Sequence, residues 1–215
     1  MSLARLSQVI MARCLLCDCV MDLTLINLLI QKQKLCSHCL NNFEIIKANI
    51  KVDDIQVHIL YSYNDFFREI LYQYKVNYDY ALKDCFLNTH INELKRKYRG
   101  FVLIPAPSYY EADEKRGFNH VEEIFKNLNM RIIKCFKKTK DFKQTEQSYE
   151  GRKDIQKCIK IDKSMLKGAN KLLLVDDVAT SFSTIKSMIR LLPPDKQIKV
   201  LIIASNCLKR SNDLQ

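Results

Sequence analysis

Tryptophan is absent from the sequence, and glycine and proline are scarce, with four residues of each among 215. No low-complexity linker and no internal repeat is visible, which excludes a repeat architecture. No apolar run approaches the roughly 20 residues of a membrane-spanning helix, and no charged and then apolar leader precedes a cleavage site of small residues. We therefore expect a soluble protein of the cytoplasm.

Acidic residues are also few relative to basic ones. The chain has 35 Lys and Arg against 24 Asp and Glu, which gives a formal net charge of +11. This balance favours polyanionic partners, namely nucleic acid, nucleotide phosphates or an acidic membrane surface. A solvated basic surface without a dedicated partner is the alternative, and charge alone does not separate the two.

The nine cysteines argue against a secreted disulfide framework, because their number is odd and no leader is visible. Four of them form two tight pairs, Cys14-x-x-Cys17 and Cys36-x-x-Cys39. Each pair can place two thiolates on one metal ion, and four thiolates complete a tetrahedral structural zinc site. We predict a small zinc-ribbon module at residues 13–43, since a unit of this size needs a metal to fold.

Two alternatives remain open for these cysteines. They are buried or redox-active thiols without a metal, or Cys19 replaces Cys17 as a ligand. Residues 1–12, before the module, are expected to form a flexible extension. The other cysteines occur singly in apolar patterns and are expected in the core: Cys85, Cys135, Cys158 and Cys207.

The rest of the chain alternates between strand and helix patterns. Strands are predicted at residues 55–63, 101–104, 172–175 and 198–204, with another beginning at residue 132. Helices are predicted at residues 65–75, 82–98, 119–128 and 184–192. The connection at 107–115 is expected to be irregular and mobile, and residues 136–152 show no clear period. This order predicts an α/β protein with a mainly parallel sheet flanked by helices.

The strand predicted at residues 172–175 runs into two adjacent carboxylates, Asp176 and Asp177, which precede hydroxyl residues and a helix. Ligands of open α/β sheets bind at the carboxyl ends of strands, and hydroxyls with free amides at a helix start suit phosphate. Acids at this point can hold a ribose diol or a Mg²⁺ shared with phosphates. The stretch predicts a site for a phosphorylated ribose, with a helix cap formed by one Asp as the alternative.

The sequence from Val175 to Thr184 resembles the loop that binds phosphoribosyl diphosphate (PRPP) in type I phosphoribosyltransferases. Further features resemble one branch of that family, the ComF late-competence proteins. They are the paired-cysteine knuckle, Ile104-Pro105-Ala106-Pro107 followed by Arg116-Gly117-Phe118-Asn119, Gln144 with Arg152 behind it, and Tyr74-Lys75 with Tyr78-Asp79. The similarity extends from Cys14 to about Ala204.

This resemblance implies a type I phosphoribosyltransferase-like domain at residues 50–210, with hood elements at about 50–98. It also implies a PRPP site in which Asp176 and Asp177, the catalytic candidates, hold the ribose hydroxyls directly or through Mg²⁺. The phosphate-binding candidates are the loop residues and one arginine: Val178, Ala179, Thr180, Ser181, Phe182, Ser183, Thr184 and Arg116.

Two positions depart from the family pattern. Phe182 stands where the PRPP loop usually has Gly, and Phe there costs roughly 1 kcal/mol of backbone strain if the loop keeps its shape. Otherwise the ring reshapes the loop or obstructs the phosphate. Glu111-Ala112-Asp113-Glu114 places acids and no Arg in a loop that ordinarily lies near pyrophosphate. Whether the chain is an active transferase is therefore left open.

Basic residues with interleaved aromatic residues favour sequence-independent binding of single-stranded nucleic acid. A solvated face above two core phenylalanines, Phe136 and Phe142, is an equally weighted alternative. The DNA-binding candidates are Lys75, Arg116, Lys134, Lys137, Lys138, Lys140 and Lys143.

From the ComF resemblance we expect a competence protein that handles single-stranded DNA during natural transformation. The resemblance implies the competence ATP-dependent helicase and recombination mediator proteins as partners, with peripheral association at the DNA-uptake machinery. One alternative is an active phosphoribosyltransferase that joins a nucleobase to ribose 5-phosphate. Another is a zinc-containing adaptor for the helicase.

Overall fold

The computed structural model describes residues 12–21, 34–138 and 158–206. The strands in these ranges are β1 Ala12–Arg13, β2 Val20–Met21, β3 Ile45–Val52, β4 Ile55–Ser62, β5 Val102–Pro105, β6 Phe136–Lys138, β7 Ile159–Ile161, β8 Lys171–Ala179 and β9 Gln197–Ser205. The α-helices are α1 Ser37–Asn41, α2 Asp65–Lys75, α3 Ile91–Lys97, α4 Tyr110–Arg116, α5 His120–Lys126 and α6 Ser183–Leu191. Short 3₁₀ segments lie at Tyr80–Asp84 and Lys163–Leu166. Several predictions fall outside the described residues, namely the extension up to Met11, the DNA candidates Lys140 and Lys143, Gln144, Arg152 and Cys207.

Five strands form the main sheet in the order β3-β4-β9-β8-β5. Strands β4, β9, β8 and β5 run parallel to one another. Strand β3 is antiparallel to its neighbour β4. Two apolar cores cover the sheet, one beneath α2, α3 and α5 and the other beneath α6 and the antiparallel pair β6–β7. The predicted α/β architecture with a mostly parallel sheet and flanking helices is confirmed.

Edge strand β3 is missing from the sequence prediction. Its residues alternate between exposed and half-buried, and only Val52 is buried. A strand at the sheet edge with little buried surface carries a weak apolar signal, because its burial comes from one neighbour only.

The single helix predicted over residues 82–98 is wrong. A 3₁₀ segment ends at Asp84, turns follow, and α3 begins only at Ile91. Cys85, Phe86 and Leu87 are all buried in succession. Three consecutive residues point to different sides of a helix, so a turn is needed to bury all of them against one core.

The irregular connection predicted over residues 107–115 is also wrong in its second half, where α4 forms. An ion pair between Arg116 Nη1 and Asp113 Oδ1, at 3.0 Å, joins positions i and i+3 of this helix. Gly117 then ends α4 in the left-handed conformation, with φ of 80°. The helix predicted at residues 119–128 is confirmed as α5, with Asn119 Oδ1 accepting the Glu122 amide at 2.8 Å as its cap.

The paired cysteines lie on the β1–β2 hairpin and on α1, and this part of the chain shares the first core with the sheet. A series of aromatic rings runs from it toward the helices. The ring centroids of Phe43 and Phe67 are 6.1 Å apart, those of Phe67 and Phe86 are 5.5 Å apart, and those of Phe86 and Tyr74 are 5.6 Å apart. The Tyr74 hydroxyl donates to the His120 carbonyl at 2.9 Å. Packed rings therefore link the cysteine region to α2 and α5.

None of the helices in the described part of the chain has both the length and the apolar character that a membrane span requires.

Candidate functional site

A cleft of about 730 Å³ opens at the carboxyl ends of β5 and β8. Four segments of the chain meet at this cleft, namely the ends of α2 and α4, the start of α5 and the loop before α6. Four cationic side chains line the cleft, together with three acids and the hydroxyl of Thr184: Lys75, Lys115, Arg116, Lys138, Glu111, Asp176 and Asp177. The position agrees with the rule that open α/β sheets bind ligands at strand ends.

The predicted acid pair lies within β8 rather than after it. Asp176 pairs with Ile202 of β9, and the ladder continues to Ala179 opposite Ser205. Adjacent residues of a strand point to opposite faces. Phe182 rather than an acid occupies the N-cap position of α6. The alternative in which one of the two acids caps the following helix is therefore wrong.

Asp177 is the most buried charged group of the cleft, with 4% of its surface exposed. Its Oδ2 accepts a hydrogen bond from Lys75 Nζ at 2.8 Å and lies 3.2 Å from His120 Nε2. Burial alone would raise the pKa of Asp177, but the Lys75 ammonium and the His120 ring together hold that pKa well below its usual range. Asp177 is thus a fixed anion that joins α2 and α5 to β8.

His120 transmits this arrangement to Arg116. Arg116 Nη1 lies 3.2 Å from His120 Nδ1, and a guanidinium can only donate hydrogen bonds. Nδ1 is therefore the acceptor, and the proton of the neutral ring sits on Nε2, facing Asp177. Burial, as the main cause, lowers the pKa of His120, which is consistent with a neutral ring. Arg116 also donates from Nε to the Lys75 carbonyl at 3.0 Å, so this arginine holds the end of α2.

Asp176 has a different environment from its neighbour. It is half-buried and lines both the large cleft and a smaller pocket inside the loop that follows. Burial and the adjacent charge of Asp177 raise the pKa of Asp176. Of the two carboxylates, Asp176 is therefore the more accessible from the cleft, whereas Asp177 is paired with protein cations.

The loop between β8 and α6 forms a pocket of about 60 Å³. Its lining contains every predicted phosphate-binding residue of the loop, Val178 to Thr184. Phe182 adopts the left-handed conformation, with φ of 56°, which is the strained backbone that glycine tolerates without cost. Phe182 therefore carries backbone strain that a glycine at this position would avoid.

The Phe182 side chain is largely buried. It is 8% exposed and packs in the second core with Ala179, Ile185 and Met188. Removing a buried Phe ring costs about 3 to 5 kcal/mol, whereas left-handed strain costs about 1 to 3 kcal/mol. Packing therefore outweighs the strain, and the ring does not obstruct the cleft.

The four paired cysteines converge as the spacing predicts. The sulfur atoms of Cys14, Cys17, Cys36 and Cys39 all lie within 4.8 Å of one another and can hold one metal ion. Cys17 Sγ and Cys36 Sγ are 3.7 Å apart. The backbone amides of Cys36 and Cys39 donate to Cys14 Sγ at 3.3 Å and to Cys36 Sγ at 3.4 Å, which stabilises thiolates. Cys19 is not part of this group.

The described DNA candidates divide into two sets. Lys75 and Arg116 are committed to the Asp177 and His120 network. Lys134, Lys137 and Lys138 lie on and just before β6, beside the cleft. Lys138 Nζ lies 4.9 Å from the centre of the Tyr109 ring. The interleaved aromatic residue Phe136 is buried in the second core, and Phe142 lies outside the described residues.

His120 is the site residue that the sequence analysis misses. It begins α5, whose Val121, Ile124 and Phe125 are buried in the apolar core. A polar residue on such an apolar helix face is the signal that would have found it. The Lys75–Asp177 contact, by contrast, joins residues 102 positions apart and has no local signal.

We expect Lys75→Met to lower the free energy of unfolding by about 2 kcal/mol, measured by urea denaturation. Removing one partner of a buried ion pair costs about 3 to 5 kcal/mol, and this estimate is reduced because the Lys75 side chain is 30% exposed. The exposed Lys115→Met is the control, with a change within about 0.5 kcal/mol.

The double variant Lys75→Met with Asp177→Asn separates charge from packing. It should recover most of the lost stability, since no uncompensated carboxylate remains buried. A double variant no more stable than Lys75→Met would show that the ion pair is not the cause.

No protein family model matches the chain. Two curated proteins are similar to it, and both are named competence protein ComFC. The protein from Streptococcus pneumoniae is 26% identical over 206 residues, which cover 84% of this chain and 93% of the relative. The protein from Bacillus subtilis is 26% identical over 128 residues, which cover 59% of this chain and 53% of the relative. These similarities confirm the predicted resemblance and support a competence protein of the ComF family.

Proposed function

We propose that this chain is a cytoplasmic competence protein that handles single-stranded DNA during natural transformation, on a phosphoribosyltransferase-like scaffold. The observation that carries the proposal is the grouping of Lys134, Lys137 and Lys138 with aromatic side chains beside the strand-end cleft. Lysines neutralise a DNA backbone, and aromatic rings stack on bases of any type. The formal charge of +11 supplies long-range attraction for the same partner.

The chain's partners in this role are single-stranded DNA, the competence ATP-dependent helicase and recombination mediator proteins. The two protein partners and an association with the DNA-uptake machinery follow from the ComF resemblance alone. Retention of the helicase on this chain, immobilised as a bait, would test these proposals.

We expect the chain to bind an oligothymidylate of about 40 nucleotides at low salt, with log affinity falling linearly with log salt concentration. Fluorescence anisotropy at several salt concentrations measures this dependence. Replacing Lys134, Lys137 and Lys138 together by Ala should weaken binding and reduce the slope by about 2, since each phosphate contact contributes about 0.7.

The matched control replaces three exposed lysines elsewhere by Ala: Lys51, Lys167 and Lys171. An equal loss of slope in the two triple variants would mean that net charge rather than this surface is responsible. No binding by the unaltered chain at low salt would contradict the proposed function itself.

A second candidate is binding of PRPP in the cleft, either as an input or as the substrate of an active transferase. Two observations at Phe182 support it: its backbone has the left-handed form that glycine adopts without strain, and the residue does not line the large cleft. Asp176 would hold the ribose hydroxyls or a Mg²⁺ bound with the ligand. Thr180, Ser181 and Thr184, with the loop amides, would hold the phosphate.

In this role Lys75, Arg116 and His120 would act mainly by positioning other protein groups, and not mainly by binding the ligand. They fix Asp177 and the end of α2, so that the cleft keeps its shape without substrate. Catalysis by such a site would be positioning and charge stabilisation while pyrophosphate leaves. The acids of α4 reduce the positive charge on that side, since Glu111 also lines the cleft.

We expect calorimetric titration with PRPP and Mg²⁺ to show saturable binding that Thr184→Val weakens about ten- to hundredfold, because a hydrogen bond to a charged group contributes about 1.5 to 3 kcal/mol. Ser164→Ala, which removes a hydroxyl from the 3₁₀ segment at Lys163–Leu166, is the control. No heat of binding to the unaltered chain would exclude PRPP, and release of pyrophosphate with a nucleobase would favour turnover.

The metal of the cysteine cluster is proposed to be zinc with a structural role. Zn–S bonds of about 2.3 Å in a tetrahedron place sulfur atoms roughly 3.8 Å apart, close to the 3.7 Å between Cys17 and Cys36. The four thiols are of one chemical type and lie in a module with little core of its own, which fits a site that stabilises folding.

We expect the purified chain to contain about one equivalent of zinc, measured by elemental mass spectrometry. The Cys39→Ser variant should lose most of this zinc and should be less stable to unfolding. Cys39 is buried, and its loss leaves three ligands. Cys19→Ser is the control because Cys19 is an exposed neighbour outside the cluster. Loss of zinc from Cys19→Ser alone would instead identify Cys19 as the fourth ligand.

A further inference from the structure

A second pocket of about 430 Å³ adjoins the strand-end cleft. Ala106, Pro107, Ser108 and Lys138 line both spaces, so the two share one wall. The remaining lining comes from β5, α4, the start of α5 and β6: Pro105, Tyr110, Asp113, Asn119, Lys134, Phe136 and Lys137. Its volume falls within the usual range of small-molecule pockets.

Aromatic and apolar surfaces form much of this pocket. Phe136, on β6, is largely buried in the second core and is one of the residues that line the pocket. Tyr110 lies on the other side and is 70% exposed, more than any other large hydrophobic residue described as exposed. An exposed ring at the mouth of a pocket can stack on a flat partner without unfolding anything.

The polar groups inside the pocket are already satisfied by one another. Asn119 Nδ2 donates to Ser108 Oγ at 2.8 Å and to Asp113 Oδ2 at 2.7 Å. Asn119 Oδ1 accepts from Glu122 as the cap of α5, and Asp113 Oδ1 accepts from Arg116. A ligand is therefore not required to present a particular pattern of donors and acceptors. The pocket suits recognition by shape and stacking.

Three lysines line the pocket, all of them on or just before β6. Lys137 is exposed on β6, and Lys134 is exposed although it contacts Glu122 at 3.2 Å. Lys138 lies where the pocket meets the cleft. Long lysine side chains at the edge of an aromatic pocket match a flat, uncharged group that is linked to anions on both sides.

We propose that this pocket receives one nucleobase of a single strand of DNA, stacked on Tyr110, while Lys134, Lys137 and Lys138 contact the neighbouring phosphates. The inference rests on the proposed handling of single-stranded DNA and names the place where a base would enter. Because the polar groups of the pocket are internally paired, the four bases bind with similar affinity. The shared wall places the adjacent phosphate at the cleft, so a strand held here also covers part of the cleft.

The test compares an intact oligothymidylate of about 20 nucleotides with an abasic oligonucleotide of equal length, at one salt concentration. Tyr110→Ala should lose about tenfold in affinity for the intact strand, the effect expected of one base–aromatic stack. Its affinity for the abasic strand should not change. Tyr110→Phe keeps the ring and should bind as the unaltered chain does.

Tyr72→Ala is the matched control, since Tyr72 is a 53% exposed tyrosine on α2 that lines neither space. Lys137→Ala should weaken both strands equally, because it acts on phosphate. Circular dichroism establishes that each variant is folded.

Unchanged affinity of Tyr110→Ala for the intact strand would overturn the proposal and leave the proposed function standing. Equal losses for intact and abasic strands would also overturn it, because the contact would then be to the backbone. Failure of the unaltered chain to bind either strand would overturn both this proposal and the proposed function. The outcomes therefore distinguish a failure of the pocket proposal alone from a failure of the proposed function.

Discussion

The arrangement of the cleft depends on one buried carboxylate. Asp177 sits at the end of the sheet where water is scarce, and a charge in such a place is costly unless it is paired. Lys75 and His120 supply the pairing from two different helices, 102 and 57 positions away along the chain. The need to compensate this anion therefore fixes α2 and α5 against β8. Arg116 orients the His120 ring by contacting Nδ1, the ring nitrogen that does not face Asp177. The same constraint leaves Asp176 as the carboxylate available to a ligand.

Local patterns were sufficient for much of the fold. The apolar runs of β5, β8 and β9 are visible in sequence because each run lies within a short segment of neighbouring residues. The cysteine cluster was also predictable, since the spacing within each pair determines how two thiols meet. The elements that the sequence analysis failed to predict depend on features beyond the local pattern. Strand β3 has little buried surface, and the region between Tyr80 and Ile91 turns in order to bury three consecutive residues.

The site was predictable in composition and not in its division of roles. The sequence indicates an acid pair, a hydroxyl loop and basic residues near one strand end. It treats the two acids alike and places Lys75 with the DNA-binding lysines, because pairing across more than one hundred residues leaves no local trace. Phe182 is a similar case: the sequence predicts strain, yet only the packing of the ring in the second core explains why an aromatic residue is tolerated there.

The line of rings from Phe43 through Phe67 and Phe86 to Tyr74 has a mechanical consequence. Close-packed interiors have low compressibility, so they pass on displacement rather than absorb it. A force applied to the knuckle by a bound protein would be carried along this stack to the backbone of His120, which the Tyr74 hydroxyl holds. The cysteine region is thus in continuous packing contact with the helix that carries Lys75, so a displacement of one is resisted by the other.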